Sequence, residues 1–186
     1  MIPSLSQVIF LLVLGGAFVH FLLGGARTFV PSKDDDAGAG WAQFSFMLTG
    51  ALATWFIGIL MPIRLYNGIV SAVLLLCSLV LYEWARHVIW GRRFYLAWSN
   101  SVPDSLCQDG PYAWIRHPIY ASYILAFLAE LVALPTIATL VIFIFNAALF
   151  THAAFSDERS LATSTLATEY ALYKKRTGLF WPRLIA

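Results

Sequence analysis

The sequence predicts an all-α integral membrane fold of about five transmembrane helices, followed by a cytoplasmic C-terminal helix. Three observations predict it: an extreme apolar composition, five long apolar segments, and basic residues gathered almost entirely on one side of those segments. The chain of 186 residues is 60% hydrophobic, 16% aromatic and only 12% charged, with a mean hydropathy of +0.73. Soluble domains carry about 25% charged residues. A small soluble fold keeps much of its surface in water and could not hide so much apolar area, so lipid is the solvent for a large part of this chain. The length suits one domain, here a single membrane domain over residues 1–186.

A helix needs roughly 20 apolar residues to cross roughly 30 Å of hydrocarbon. Segments at about 6–28, 42–61, 68–90, 118–134 and 136–154 qualify. Pro31 to Gly40 is a polar, glycine-containing loop between the first two. Met61-Pro62-Ile63-Arg64 ends the second, and Tyr66-Asn67-Gly68 is a turn signal. Pro135 divides the last two with almost no connector, which predicts a tight helical hairpin. The first segment has no basic n-region and no clear small-residue cleavage site, so it reads as a retained span rather than a signal peptide.

An odd number of spans puts the termini on opposite sides. Arg27, Lys33, Arg86, Arg92, Arg93, Arg116, Arg159, Lys174, Lys175, Arg176 and Arg183 then share one side, and Arg64 alone occupies the other. Cytoplasmic loops carry the excess of Lys and Arg, so the C terminus is expected in the cytoplasm. Two segments remain outside the bilayer. Gly91 to Arg116 is a basic, aromatic loop, long for a compact protein. Residues 156–176 read as one interfacial helix, with Ser156 as its N-cap, Asp157 and Glu158 in its first turn, Lys174 to Arg176 in its last, and Gly178 as its stop.

Other classes are disfavoured. A net charge of +2 without a basic stripe gives no case for nucleic acid. Cys77 and Cys107 show no metal-ligand or disulfide spacing, and Cys77 reads as a small core residue. Glu130 lies deep in the fourth span, where an acid is costly and is either functional or bonded to a neighbouring helix. Glu83 with Arg86 and His87 reads as a local ion pair, and His20 as a satisfied bundle histidine.

Chemistry-capable residues gather at one membrane face. Gly110-Pro-Tyr-Ala-Trp-Ile-Arg-His-Pro-Ile-Tyr120 brings Arg116 and His117 to the mouth of the fourth span, with Pro118 at its first helical position. A helix start carrying a cation and an imidazole can hold a carboxylate or phosphate. The structural alternative is that Arg116 only follows the charge bias, His117 caps the helix, and Tyr112, Trp114 and Tyr120 form an interfacial belt. Asp157-Glu158-Arg159 follows the fifth span. The hairpin returns it to the same face as His117, with His152 in the same zone.

The stretch from Gly110 to Tyr120, then Asp157-Glu-Arg-Ser-Leu161, then Glu169-Tyr170, Tyr173-Lys-Lys-Arg176 and Pro182, resembles the isoprenylcysteine carboxyl methyltransferase family and, more broadly, membrane methyltransferases that include phospholipid N-methyltransferases. The resemblance spans roughly residues 104–183. It implies an enzyme that uses S-adenosylmethionine, bound at the cytoplasmic face by loop 91–117 and tail 155–186. A lipophilic acceptor enters from the bilayer. By position, the cofactor-binding candidates are Arg116, His117, Pro118, Tyr120, Asp157, Glu158 and Tyr170. The catalytic candidates are His117, Arg116 and His152, and no metal is implied. Two positions depart from the family pattern. Ser122 stands where many members have glycine, and Thr151-His152-Ala153-Ala154 lacks an arginine that carboxyl-methylating members carry.

Methyl transfer from a sulfonium is an in-line displacement that needs alignment and a water-poor site. His117 and Arg116 would bind the methionyl carboxylate, while Asp157 and Glu158 hold the ribose or amino group. Tyr120 or Tyr112 would favour the sulfonium by cation–π attraction. An amine acceptor has to lose a proton, for which His117 or His152 is placed. The alternative readings are a sterol- or enone-type membrane reductase using NADPH, and a haem-binding carrier.

Overall fold

The computed structural model describes residues 5–30, 37–90, 94–95 and 105–183. Among them are six α-helices: α1 Leu5–Thr28, α2 Ala37–Leu60, α3 Leu65–Val88, α4 Pro118–Ala133, α5 Ile137–Ala162 and α6 Ala167–Arg176. Among the described residues the architecture is helical apart from a two-residue parallel pairing, of Phe29 with Phe94 and Val30 with Tyr95, and a parallel bridge of Ile115 with Gly178.

The most extensive helix contact joins α3 to α4, and the α3 sequence explains it. Its inward residues Ser71, Leu75, Ser78, Tyr82 and Ala85, continued by Ile89 just past the helix, are buried at alternating steps of four and three. That is the seam of a left-handed helix pair. The seam's small residues let the backbones approach, and their hydroxyls satisfy backbone carbonyls where water is absent. Ser71 Oγ donates to the Ala129 carbonyl at 2.7 Å and Ser78 Oγ to that of Ser122 at 2.6 Å. Ser122 therefore belongs to the α3–α4 contact, and its own hydroxyl donates to the Ile119 carbonyl.

The α1 helix adds a stripe of Phe10, Leu11, Leu14, Ala17, Phe18 and Phe21 at helical spacing. Its opposite face exposes Val8, Leu12, Val13, Val19 and Leu23. Apolar residues on the outside as well as the inside are what a lipid-facing helix requires.

All five expected spans are helices. Three of them, Gln7–Gly25, Leu65–Val88 and Ile137–Ala162, are long and apolar enough to cross a membrane. Pro118–Ala133 is a shorter apolar helix, and Met47–Leu60 is the apolar part of α2 whose side chains are described. The hairpin at Pro135 forms as read. Helix α4 ends at Ala133, and Thr136 caps α5 through a reciprocal pair with Thr139.

The structure corrects several readings. Residues 37–40, read as the end of a loop, open α2, and Tyr66-Asn67-Gly68, read as a turn, lie in the first turn of α3. Helix α5 does not stop near residue 154. It runs unbroken for 26 residues to Ala162, because no glycine or proline interrupts it. At 1.5 Å per residue it is about 39 Å long and outruns the hydrocarbon core. Ser156 is thus an interior residue and not an N-cap, and Asp157 and Glu158 lie near a helix C-terminal end. The expected 156–176 helix is instead the end of α5, a turn, and the separate α6.

Cys77 is exposed on α3 and Cys107 is buried, since residue 77 falls off the seam. Of the expected aromatic belt, Tyr112 and Tyr120 are buried and only Trp114 is exposed. His20 is satisfied, but by a cross-helix contact. Its Nε2 lies 2.6 Å from Glu83, which also holds Arg86 at 2.6 Å. Glu130 is fully buried beside Thr54, and neither carboxylate oxygen has a hydrogen-bond partner among the described residues.

Helix α2 approaches two of its neighbours closely at Gly50. A Cβ there would sit 3.2 Å from Asn146, Ile142 and Phe127, whereas one at Gly16 would meet nothing within 4 Å. Gly50→Leu is expected to cost about 1–3 kcal/mol by overpacking, lowering the melting temperature by several degrees in detergent. Gly16→Leu should leave the melting temperature unchanged in the same assay.

Candidate active site

Three pieces of chain converge at the N-terminal end of α4. The first begins at Gly110, whose φ of 55° is a left-handed conformation that favours glycine. A Cβ at Gly110 would also come within 2.7 Å of Val88 and 3.0 Å of Trp84. Gly110 opens a 3-10 turn, Gly110–Ala113, which buries Tyr112. The chain then passes Arg116 and His117 and enters α4 at Pro118, the N1 position. His117 occupies the N-cap position, but its side chain makes no capping bond.

The second piece is the C-terminal half of α5. Phe150, Ala153, Ala154 and Glu158 form its buried face, one helical stripe that Asp157 adjoins. His152 lies on an exposed sector of the same helix, away from that stripe.

The third piece is the tail. Helix α6 is followed by an extended strap that pairs with the segment before α4. The Arg116 N–H donates to the Gly178 carbonyl at 2.9 Å, the His117 N–H to that of Leu179 at 3.2 Å, and the Gly178 N–H to that of Trp114 at 3.1 Å. Gly178 has no substitute here, because any Cβ would collide with the Trp181 carbonyl. Tyr173 Oη donates to the Tyr112 carbonyl at 2.6 Å, and Gln108 Nε2 donates to Glu169 at 2.7 Å.

Glu158 is where the three pieces meet. Its carboxylate accepts from Arg116 Nε at 2.6 Å and from Lys174 Nζ at 2.5 Å, with His117 Nε2 at 3.8 Å. Glu158 is buried, the Arg116 side chain is 9% exposed, and Lys174 is half exposed. A buried carboxylate is tolerated only when paired and hydrogen-bonded. Arg116 also turns Nη1 to the Thr177 and Lys174 carbonyls, at the α6 C-terminal end where the helix dipole favours a cation.

Beside this node, Tyr120 Oη donates to Asp157 Oδ2 at 2.9 Å. The His117 and Tyr120 rings stack with centroids 5.5 Å apart and planes 5° from parallel. Tyr120 continues onto Phe150 at 5.9 Å, and Phe180 of the strap meets His117 edge-on at 6.4 Å. Tyr170 lies next to Glu158. Burial and then the Glu158 carboxylate raise its hydroxyl above the ordinary phenol range, so it stays a neutral donor. Neither Tyr170 Oη nor His117 Nε2 has a hydrogen-bond partner among the described residues.

The structure therefore brings together Arg116, His117, Pro118, Tyr120, Asp157, Glu158 and Tyr170, while His152 is exposed on α5. Residue types alone did not mark Lys174, Phe150 or Thr177 as part of this cluster. Lys174 reads in sequence as an ordinary helix-end cation, with no local signal tying it to an acid 16 residues earlier.

This is the geometry against which the comparison with known families stands. The model of the isoprenylcysteine carboxyl methyltransferase family matches residues 72–163. Over that stretch, just under half of its length, the chain is similar to this family. The match takes in most of α3, the 3-10 turn, α4 and all of α5, so it covers both Arg116-His117 and Asp157-Glu158. Comparison with curated proteins and with solved structures gives no match. The similarity suggests methyltransferase activity in a membrane setting.

Breaking a buried ion pair by removing one partner costs about 3–5 kcal/mol, while an exposed pair is worth about 0–1 kcal/mol. Glu158→Ala, which strands Arg116, is accordingly expected to lower thermal stability in detergent far more than Lys174→Ala. Equal losses in the two variants would show that the carboxylate serves Arg116 no better than it serves the half-exposed lysine.

Proposed function

We propose that the protein transfers a methyl group from S-adenosylmethionine to a lipophilic acceptor, at the cytoplasmic mouth of the α4–α5 hairpin. The observation that carries this reading is the 2.9 Å hydrogen bond from Tyr120 to Asp157. It ties together the two sequence segments by which the chain resembles membrane methyltransferases, beneath the tail. The positive-inside bias of eleven cations to one supports the cytoplasmic assignment.

The residues present fit the cofactor. The buried atoms His117 Nε2 and Tyr170 Oη lie beside Glu158 without a hydrogen bond among the described residues, so both have a donor or acceptor to offer a carboxylate- and hydroxyl-bearing group. In this proposal His117 and Tyr170 meet the methionyl end, and Asp157 takes the ribose hydroxyls or the amino group. Arg116 and Glu158 were expected to contact the cofactor. Because their polar atoms already bond each other and the tail, the proposal gives them the work of holding His117 and α6 in place.

When bound, the sulfonium supplies an already activated methyl group. What remains for the protein is alignment and exclusion of water. The stacked row of His117, Tyr120 and Phe150 offers ring faces that attract a cation by roughly 0.5–2 kcal/mol. The buried Ala153 and Ala154 leave that wall low and apolar, suited to a lipophilic acceptor arriving from the bilayer. An amine acceptor must lose a proton, and His117 is the group positioned to take it.

Calorimetric titration of the purified protein with S-adenosylmethionine tests the site. Hydrogen bonds to charged groups contribute about 1.5–3 kcal/mol, so His117→Ala and Asp157→Ala should each weaken binding by roughly tenfold or more. Unchanged affinity in both variants would reject the assignment.

A further inference from the structure

The tail has an outer surface that neither the fold nor the proposed chemistry uses. Three large apolar side chains outside the spans are turned outward there: Trp114 and Leu172, each 62% exposed, and Trp181, 75% exposed. Trp114 and Trp181 belong to one neighbourhood. Gly178 is bonded to the Trp114 carbonyl and abuts the Trp181 carbonyl, and Leu172 is on the exposed side of α6.

Cations are interleaved with them. Lys175 and Arg183 are exposed, and Arg183 Nη1 donates to the Lys175 carbonyl at 2.6 Å, which brings the two residues together. The other cations of this tail are engaged inward, Lys174 on Glu158 and Arg176 on Gln108 and the Tyr173 ring. Tryptophans beside lysine and arginine, at the end of a membrane bundle, match the polar-apolar boundary of a bilayer. The positive charge selects anionic head groups.

We propose that the outer surface of the tail, formed by Trp114, Leu172, Lys175, Trp181 and Arg183, is an anchor for anionic phospholipid head groups of the membrane in which the protein sits. The strap and α6 cover His117 and Glu158, so a lipid surface that grips Lys175 and Arg183 holds this cover down. The inference rests on the membrane fold and not on the methyltransferase reading. Its test involves neither cofactor nor methyl acceptor, so the two can fail separately.

The experiment is amide hydrogen exchange of α6 in the full-length protein, reconstituted in nanodiscs of phosphatidylcholine alone or of equimolar phosphatidylcholine and phosphatidylglycerol. Each basic residue at an anionic surface contributes roughly a fivefold preference, so α6 exchange should slow by about tenfold or more in the anionic discs. The double variant Lys175→Glu with Arg183→Glu should exchange at the same rate in both lipids. For the unmodified protein, high salt should erase the lipid difference by screening, a readout that does not depend on the variant folding. Equal exchange in the two lipids, a difference that survives high salt, or a double variant that keeps it would each overturn the proposal.

Discussion

A single carboxylate organises one end of this molecule. Glu158 is buried, and it is tolerated there because Arg116 and Lys174 bring charge to it from two other pieces of chain. Arg116 approaches from the segment entering α4 and Lys174 from the tail helix. The parallel strap at Gly178 and Leu179 sits beside His117 because those two contacts fix where α6 lies. Without the carboxylate, a buried guanidinium would be left uncompensated and the tail would lose its main tie to α5.

The rest of the bundle makes this node possible by holding α4 and α5 in fixed register. Serine hydroxyls on the α3 seam bond carbonyls of α4, and the seam's small residues bring the two helices close. Tyr82 and Tyr123, 5.7 Å apart, and Phe150, 5.2 Å from Tyr123, pack the layer just beneath Tyr120. An aromatic row thus runs from the middle of the bundle to His117 at its mouth. The length of α5 matters equally. A helix ending at the membrane face would leave Asp157 and Glu158 on a loose connector. The continuous helix projects them as a rigid post onto which the tail folds.

Much of this was legible in the sequence. Five apolar segments became five helices, and Pro62, Pro118 and Pro135 marked their boundaries correctly, because these residues act through local backbone sterics. The pairing of Arg116-His117 with Asp157-Glu158 was also foreseeable, since a hairpin returns its two ends to one face. What was hidden depended on distant contacts. The sequence around Ser156 has the composition of a helix start, yet nothing in it breaks the preceding helix, and propagation is easier than a new nucleus. Cys77 looked like a core residue by type. Only the alternating seam of α3 shows that its position points away. The union of Lys174 with Glu158, and the need for glycine at 178, exist only once α6 has folded back.

The central claim is that Arg116, Glu158 and the tail form one coupled unit. A double-mutant cycle with Glu158→Gln and Arg116→Met, read by thermal unfolding in detergent, measures that coupling directly. Residues in one ion-pair network show interaction energies of about 0.5–3 kcal/mol, and the buried geometry here predicts a value near the upper end of that range. A cycle in which the two single changes simply add would contradict the account, because it would mean that the tail is held without the carboxylate.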